Sequence, residues 1–124
     1  MSWYLAGDYA ASATAYARAA ERVAGPEQTR NMLLELVSRR HLGEDTTALV
    51  ERDWNRIGSA WPFAIFQYVI GRLSEEHLLE QSRTDPIRYC EARYYIAELR
   101  LIAGDKPAAL TLFRAITKEC PATL

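Results

Sequence analysis

The chain has 124 residues, of which 49% are hydrophobic and 25% charged, a composition typical of one globular domain. Its 15 basic and 16 acidic residues leave a net charge of −1, and neither half of the chain is basic. Tight nucleic-acid binding is therefore not expected, because it depends on neutralising phosphates with lysine and arginine. No apolar run approaches the roughly 20 residues of a membrane span.

The spacing of apolar residues predicts an all-α chain. Apolar residues recur at helical intervals almost throughout, and glycine or proline interrupts them between segments. We expect Asp8, Ser74 and Asp105 to be N-caps and Asp85-Pro86 to form a turn. The predicted helices are a stub over 2–6, followed by segments at about 9–24, 27–42, 45–57, 62–73, 75–82, 88–103 and 106–119.

One short pattern occurs near both ends of the chain. Gly7-Asp8 is followed by Ser12 and Tyr16, and Gly104-Asp105 is followed by Ala109 and Phe113. In each copy a small residue comes five positions after the glycine and an aromatic residue nine positions after it. Internal repetition is typical of helical repeat proteins, whose surfaces bind other molecules. It favours a binding or scaffold function over an enzyme.

The C-terminal copy resembles a tetratricopeptide repeat, although Arg93 and Ile116 depart from the residues typical of that family. The matching positions are Ile96-Ala97, Gly104-Asp105, Ala109, Phe113 and Pro121. The resemblance implies one domain over 1–124, in which antiparallel helical hairpins stack as a short right-handed solenoid. The hairpins would cover about 1–24, 27–57, 62–82 and 88–120.

Residues 31–121 are also similar to the C-terminal half of new lipoprotein I-type bacterial tetratricopeptide adaptors. The similar segments are Leu33-Leu34-Glu35-Leu36, Trp61-Pro62-Phe63, Gly71-Arg72-Leu73-Ser74 and Cys90-Glu91-Ala92-Arg93-Tyr94-Tyr95. This similarity implies a non-enzymatic module that binds a peptide or helix of a partner protein along a concave face. The alternative is an accessory domain of a larger enzyme, such as a transferase. The location would be the bacterial cytoplasm, or the periplasm or envelope if an export signal lies upstream.

The family's ligand-facing positions fall on the first helix of the last hairpin. They are Glu91, Tyr94, Glu98, Leu101 and Ile102. Glu91, Tyr94, Glu98 and Leu101 recur at steps of three and four, so they share one stripe of that helix. An aromatic ring between carboxylates suits a partner with basic or amide groups. The alternative is an ordinary helix face that is partly solvated and partly packed against a neighbour.

The two cysteines lie at the two ends of the last predicted hairpin. Antiparallel helices would bring Cys90 and Cys120 together, within the Cα separation that a disulfide allows. Such a bond would imply an oxidising compartment. The alternative is two unrelated thiols.

No residue pattern indicates catalysis, a metal or a cofactor. The sequence lacks a phosphate-binding loop and a nucleophile elbow, and no histidine or second cysteine pair stands at zinc-ligand spacing. His41 is predicted to lie at a helix C-terminus and His77 in a solvated first turn. Trp3 and Tyr4 are expected to be partly exposed. We predict that one terminal surface, containing either these residues or the last helix, joins copies of the chain into a homodimer or a higher assembly.

Overall fold

A computed structural model describes residues 8–120 of the chain. These residues form seven α-helices and no β-strand, which confirms the all-α prediction. By its internal contacts the chain divides into two compact units, the first ending at Phe66 and the second beginning at Gln67. The helices are α1 (Tyr9–Ala20), α2 (Pro26–His41), α3 (Thr47–Trp54), α4 (Phe63–Val69), α5 (Glu75–Ser82), α6 (Pro86–Ile102) and α7 (Lys106–Glu119).

The repeated sequence pattern produces the same helix start twice. The Asp8 carboxylate accepts a hydrogen bond from the Ala11 amide at 3.1 Å, and Asp105 accepts one from Ala108 at 3.2 Å. Each aspartate thereby satisfies one of the amides that a helix leaves unpaired at its N-terminus. The small residue of each copy, Ser12 or Ala109, is fully buried.

Helix α6 begins two residues earlier than the sequence predicted. Asp85 is its N-cap, because the carboxylate accepts hydrogen bonds from the Ile87 and Arg88 amides at 3.1 and 3.2 Å. Pro86 occupies the first turn, where its missing N–H has no helical partner to lose. The predicted turn is therefore the first part of the helix.

Helix α4 ends four residues earlier than predicted. Gly71 has a φ of +82°, a conformation that only glycine adopts readily, and the Arg72 amide donates to the Gln67 carbonyl at 2.8 Å. This closing turn stops the helix at Val69. Helix α3 is also shorter than its prediction at both ends, covering Thr47–Trp54.

In the first unit, α1 and α2 form an antiparallel pair. The Tyr9 ring stacks on His41 with centroids 4.0 Å apart, and the Gln28 side chain donates to the Ala20 carbonyl at 2.9 Å. These contacts join opposite ends of the pair. The core residues of this unit are Ala13, Ala20, Met32, Leu33, Leu36, Val37, Ala64, Ile65 and Phe66.

In the second unit, α6 packs against both α5 and α7. A disulfide joins Cys90, in the second turn of α6, to Cys120, which follows α7, with Cα atoms 6.0 Å apart. The sequence left open whether the two cysteines form a disulfide or remain separate thiols, and in the structure they form the disulfide. The buried apolar residues of this unit are Val69, Leu78, Cys90, Ala92, Tyr95, Ile96, Ala97 and Ala109.

Three predicted features lie outside the described residues: the helical stub over 2–6, the Trp3 and Tyr4 contact surface and the closing Pro121. Among residues 8–120, no helix is both long enough and apolar enough to cross a membrane.

Candidate functional site

The second unit contains an open cleft of about 460 Å³, with α6 as its floor and α5 and α7 as its sides. Its volume lies within the range of small-molecule sites. Tyr89, Arg93, Ile96 and Arg100 come from α6. The side walls are Glu75 and Leu79 on α5, and Ala108, Thr111 and Leu112 on α7.

The floor of the cleft is one stripe of α6. Tyr89, Arg93, Ile96 and Arg100 follow one another at steps of four, three and four residues, so they project from the same side of the helix. The Asp85 cap starts α6 at Pro86, so all four residues of the stripe lie within the helix. Ile96 is almost completely buried, whereas the two arginines keep part of their surface in solvent.

Arg100 binds Glu75 across the cleft in an unusual way. Both carboxylate oxygens of Glu75 contact the same nitrogen, Nη2, at 2.7 and 2.8 Å. The Arg100 Nε is buried and has no hydrogen-bond acceptor among the described residues. The two side chains are 39% and 41% exposed, and an ion pair at that exposure contributes only about 0.2–1 kcal/mol.

Tyr68 lies within electrostatic reach of the Arg100–Glu75 pair. Burial raises the pKa of the Tyr68 hydroxyl above its ordinary value of 10.0, and the negative charge of Glu75 raises it further, while Arg100 opposes both. The phenol therefore stays protonated at neutral pH. It adds a neutral polar group near this end of the cleft.

Arg93 lies near the other end of the cleft and is held from two directions. Its guanidinium is 5.1 Å from the centroid of the Tyr89 ring, and its Nη2 donates to Glu119 at 3.0 Å. The Arg93 side chain is only 11% exposed, whereas that of Glu119 is 58% exposed. Cys120 follows Glu119 directly, so the disulfide to Cys90 tethers this carboxylate close to α6.

The predicted ligand stripe occupies a different side of α6. Glu98 is only 4% exposed, and Glu91, Tyr94, Leu101 and Ile102 are all partly buried. At 100° per residue, the stripe of Glu91, Tyr94, Glu98 and Leu101 points about 150° away from the cleft stripe.

Tyr94 shows the packing on that side of the helix. Its ring makes edge contacts with Tyr95 and Phe113, with centroids 5.3 and 6.0 Å away. None of the cleft residues was identified from the sequence as a binding residue. Arg93 and Arg100, seven positions apart with Ile96 between them, were the available signal.

The first unit buries a network of charged side chains between α2 and α3. Arg52 Nη2 contacts Glu35 at 3.2 Å and Asp53 at 3.0 Å, and Arg39 Nε donates to Glu35 at 2.8 Å. The two carboxylates are 1% and 0% exposed. The second oxygen of Asp53, Oδ2, has no hydrogen-bond partner within the described part of the chain.

The environment of Asp53 favours its neutral form. Burial raises the pKa of the Asp53 carboxyl above its ordinary value of 3.8, Arg52 opposes this rise, and the negative charge of Glu35 adds to it. Across residues 8–120, no group of three or more His, Cys, Asp or Glu side chains is arranged to hold a metal ion. We interpret the network as a link between α2 and α3.

No protein-family model matches the chain, and no curated protein or solved structure gave a significant match.

Proposed function

We propose that the chain is a non-enzymatic protein-interaction module of tetratricopeptide type, which receives a segment of a partner protein in the cleft on α6. The observation that carries the proposal is the cleft itself. It combines apolar side chains, Leu79, Ile96 and Leu112, with charged groups at both ends. Ligand sites commonly pair an apolar lining with a few polar groups that fix orientation.

The helix pairs support the tetratricopeptide part of the proposal. Asp8 and Asp105 each cap a helix through the same three-residue spacing, and Ser12 and Ala109 are both fully buried. Right-handed solenoid stacking of the hairpins remains part of this proposal, as does self-association of the chain. A monomer measured by light scattering at micromolar concentration would contradict self-association.

Site-specific photo-cross-linking tests the cleft as the binding surface. A benzoylphenylalanine is placed at Thr111, which lines the cleft, or at Arg114, an exposed residue of α7 outside it, in cells of the source organism. We expect one partner segment, mapped by mass spectrometry, to be captured from position 111 and not from 114.

Two leucine variants provide matched controls for the cross-linking. Leu112 lines the cleft, whereas Leu110 is 40% exposed and does not line it. Leu112→Asp should abolish capture from position 111, and Leu110→Asp should preserve it. Equal capture from 111 and 114, or capture unaffected by Leu112→Asp, would refute the proposed function.

A further inference from the structure

We infer that the cleft binds a carboxylate-bearing segment of the partner protein, and that Arg100 holds this carboxylate in exchange for Glu75. The inference rests on the proposed function, because it names the chemistry of the segment that the cleft receives. It depends on the geometry of one arginine, the weakness of its present ion pair and the charge at the other end of the cleft.

Arg100 presents hydrogen-bonding capacity that Glu75 does not use. A guanidinium offers Nε–H and Nη–H as a parallel pair that matches the two oxygens of a carboxylate. In the structure both Glu75 oxygens contact Nη2, and Nε is left as a buried donor without an acceptor. A carboxylate that lies side-on, across Nε and Nη2, gains a charge-assisted hydrogen bond that the internal pair lacks.

Exchange of Glu75 requires little disruption of the protein. Both partners of the ion pair are about two-fifths exposed, so water already screens the interaction. Glu75 is the first residue of α5, following the Ser74 cap. A released Glu75 carboxylate therefore stays beside a helix N-terminus, where the helix dipole favours negative charge.

The rest of the cleft specifies what accompanies the carboxylate. Arg93 lies seven residues before Arg100, about 10.5 Å away along the helix axis. The Arg93 side chain is only 11% exposed and its partner Glu119 is 58% exposed, so a second carboxylate pairs with Arg93 by taking the place of Glu119. Between the two arginines the lining is apolar, from Ile96 and Leu112. The complementary segment carries two carboxylates about 10 Å apart with an apolar side chain between them.

NMR titration of the full ¹⁵N-labelled chain tests the inference directly. The probe is an alanine-based α-helical peptide with two glutamates seven positions apart, about 10.5 Å along the helix, and two leucines between them; matched peptides carry glutamine or lysine instead. We expect the glutamate peptide to shift the Arg100 Nε–H resonance. The glutamine peptide should bind at least tenfold more weakly, because it loses the charge-assisted hydrogen bonds.

Variants at the two ends of the ion pair give opposite expectations. Arg100→Gln should weaken binding of the glutamate peptide at least tenfold, and Glu75→Gln should tighten it about two- to five-fold by freeing the guanidinium. Arg114→Gln removes an exposed arginine of α7 outside the cleft and should change nothing. If Arg100→Gln does not fold, the Glu75→Gln variant still tests the inference.

Two results would overturn the inference and separate it from the proposed function. In the first, the lysine peptide binds in the cleft as tightly as the glutamate peptide does, and Glu75→Gln weakens binding of the lysine peptide. The cleft then accepts a basic segment. The interaction module then stands and its carboxylate specificity falls. If none of the peptides shifts the resonances of the cleft, the carboxylate inference fails, and the proposed function is judged by the cross-linking experiment alone.

Discussion

Reduction of the Cys90–Cys120 disulfide should destabilise the protein by an amount that follows from the loop it closes. The cysteines are 30 residues apart in sequence. For a loop of this length, the chain-entropy relation gives a loss of about 3.6 kcal/mol in the free energy of unfolding at 25 °C. With an unfolding entropy of about 2.1 cal/mol/K per residue, the chain should melt about 14 °C lower.

Circular dichroism of the helices during thermal and urea unfolding measures this effect. The samples are the oxidised chain, the chain with reductant, and the Cys90→Ala/Cys120→Ala variant. Alanine is chosen because Cys90 is 4% exposed and a serine hydroxyl there would be buried. The reduced chain and the variant should melt close together, and reductant should leave the variant unchanged.

The reasoning is refuted if the reduced chain has the same melting temperature as the oxidised chain. Mass spectrometry must show the gain of two hydrogens, so that complete reduction is established independently. An unchanged midpoint would mean that the 30-residue loop gains little freedom when the bond opens. An equal effect of reductant on the double variant would show that the change comes from the reductant itself.

Three further predictions concern stability. Asp105→Ala removes the cap on the Ala108 amide and should lower the free energy of unfolding by about 1 kcal/mol in urea titration; no loss would contradict the capping role. Leu36→Ala should lower the free energy of unfolding by about 2–5 kcal/mol, because Leu36 is fully buried. Leu110→Ala, at an exposed position, should change it by less than about 0.5 kcal/mol, and equal losses in the two variants would contradict this reasoning. The pKa of the Asp53 carboxyl is raised in the folded chain, so its stabilising contribution is present below pH 3.8 and is lost as the pH rises through the raised value. Asp53→Asn should therefore reduce the fall in the free energy of unfolding with rising pH. An identical pH slope in the two proteins would show that Asp53 does not cause that fall.

Local features were predictable where neighbouring residues decide them. The span of α7, Lys106–Glu119, was predicted correctly because Asp105 caps it from three residues away. The start of α6 was wrong by two residues because Asp85-Pro86 reads equally well as a turn and as a cap followed by a first-turn proline. Such an ambiguity is settled only when the following residues have a surface to pack against.

The candidate site was harder to predict because α6 has two mixed faces. One face carries Glu91, Tyr94 and Glu98, and the other carries Arg93 and Arg100, so each combines charged and apolar or aromatic residues. Hydrophobic periodicity does not distinguish between two such faces. The predicted binding stripe lies on the first face and stays a prediction, and the cleft lies on the second face.

The sequence by itself determined the helical class and the Asp8, Ser74 and Asp105 caps, because these depend on residues within one or two turns of each other. Tertiary structure decided which side of α6 stays open and which charges are buried. Glu75 reaches Arg100 across 25 residues of sequence, and Arg52 reaches Glu35 across 17. Those distances in sequence are closed only by packing α5 on α6 and α3 on α2, and no local pattern encodes how helices meet.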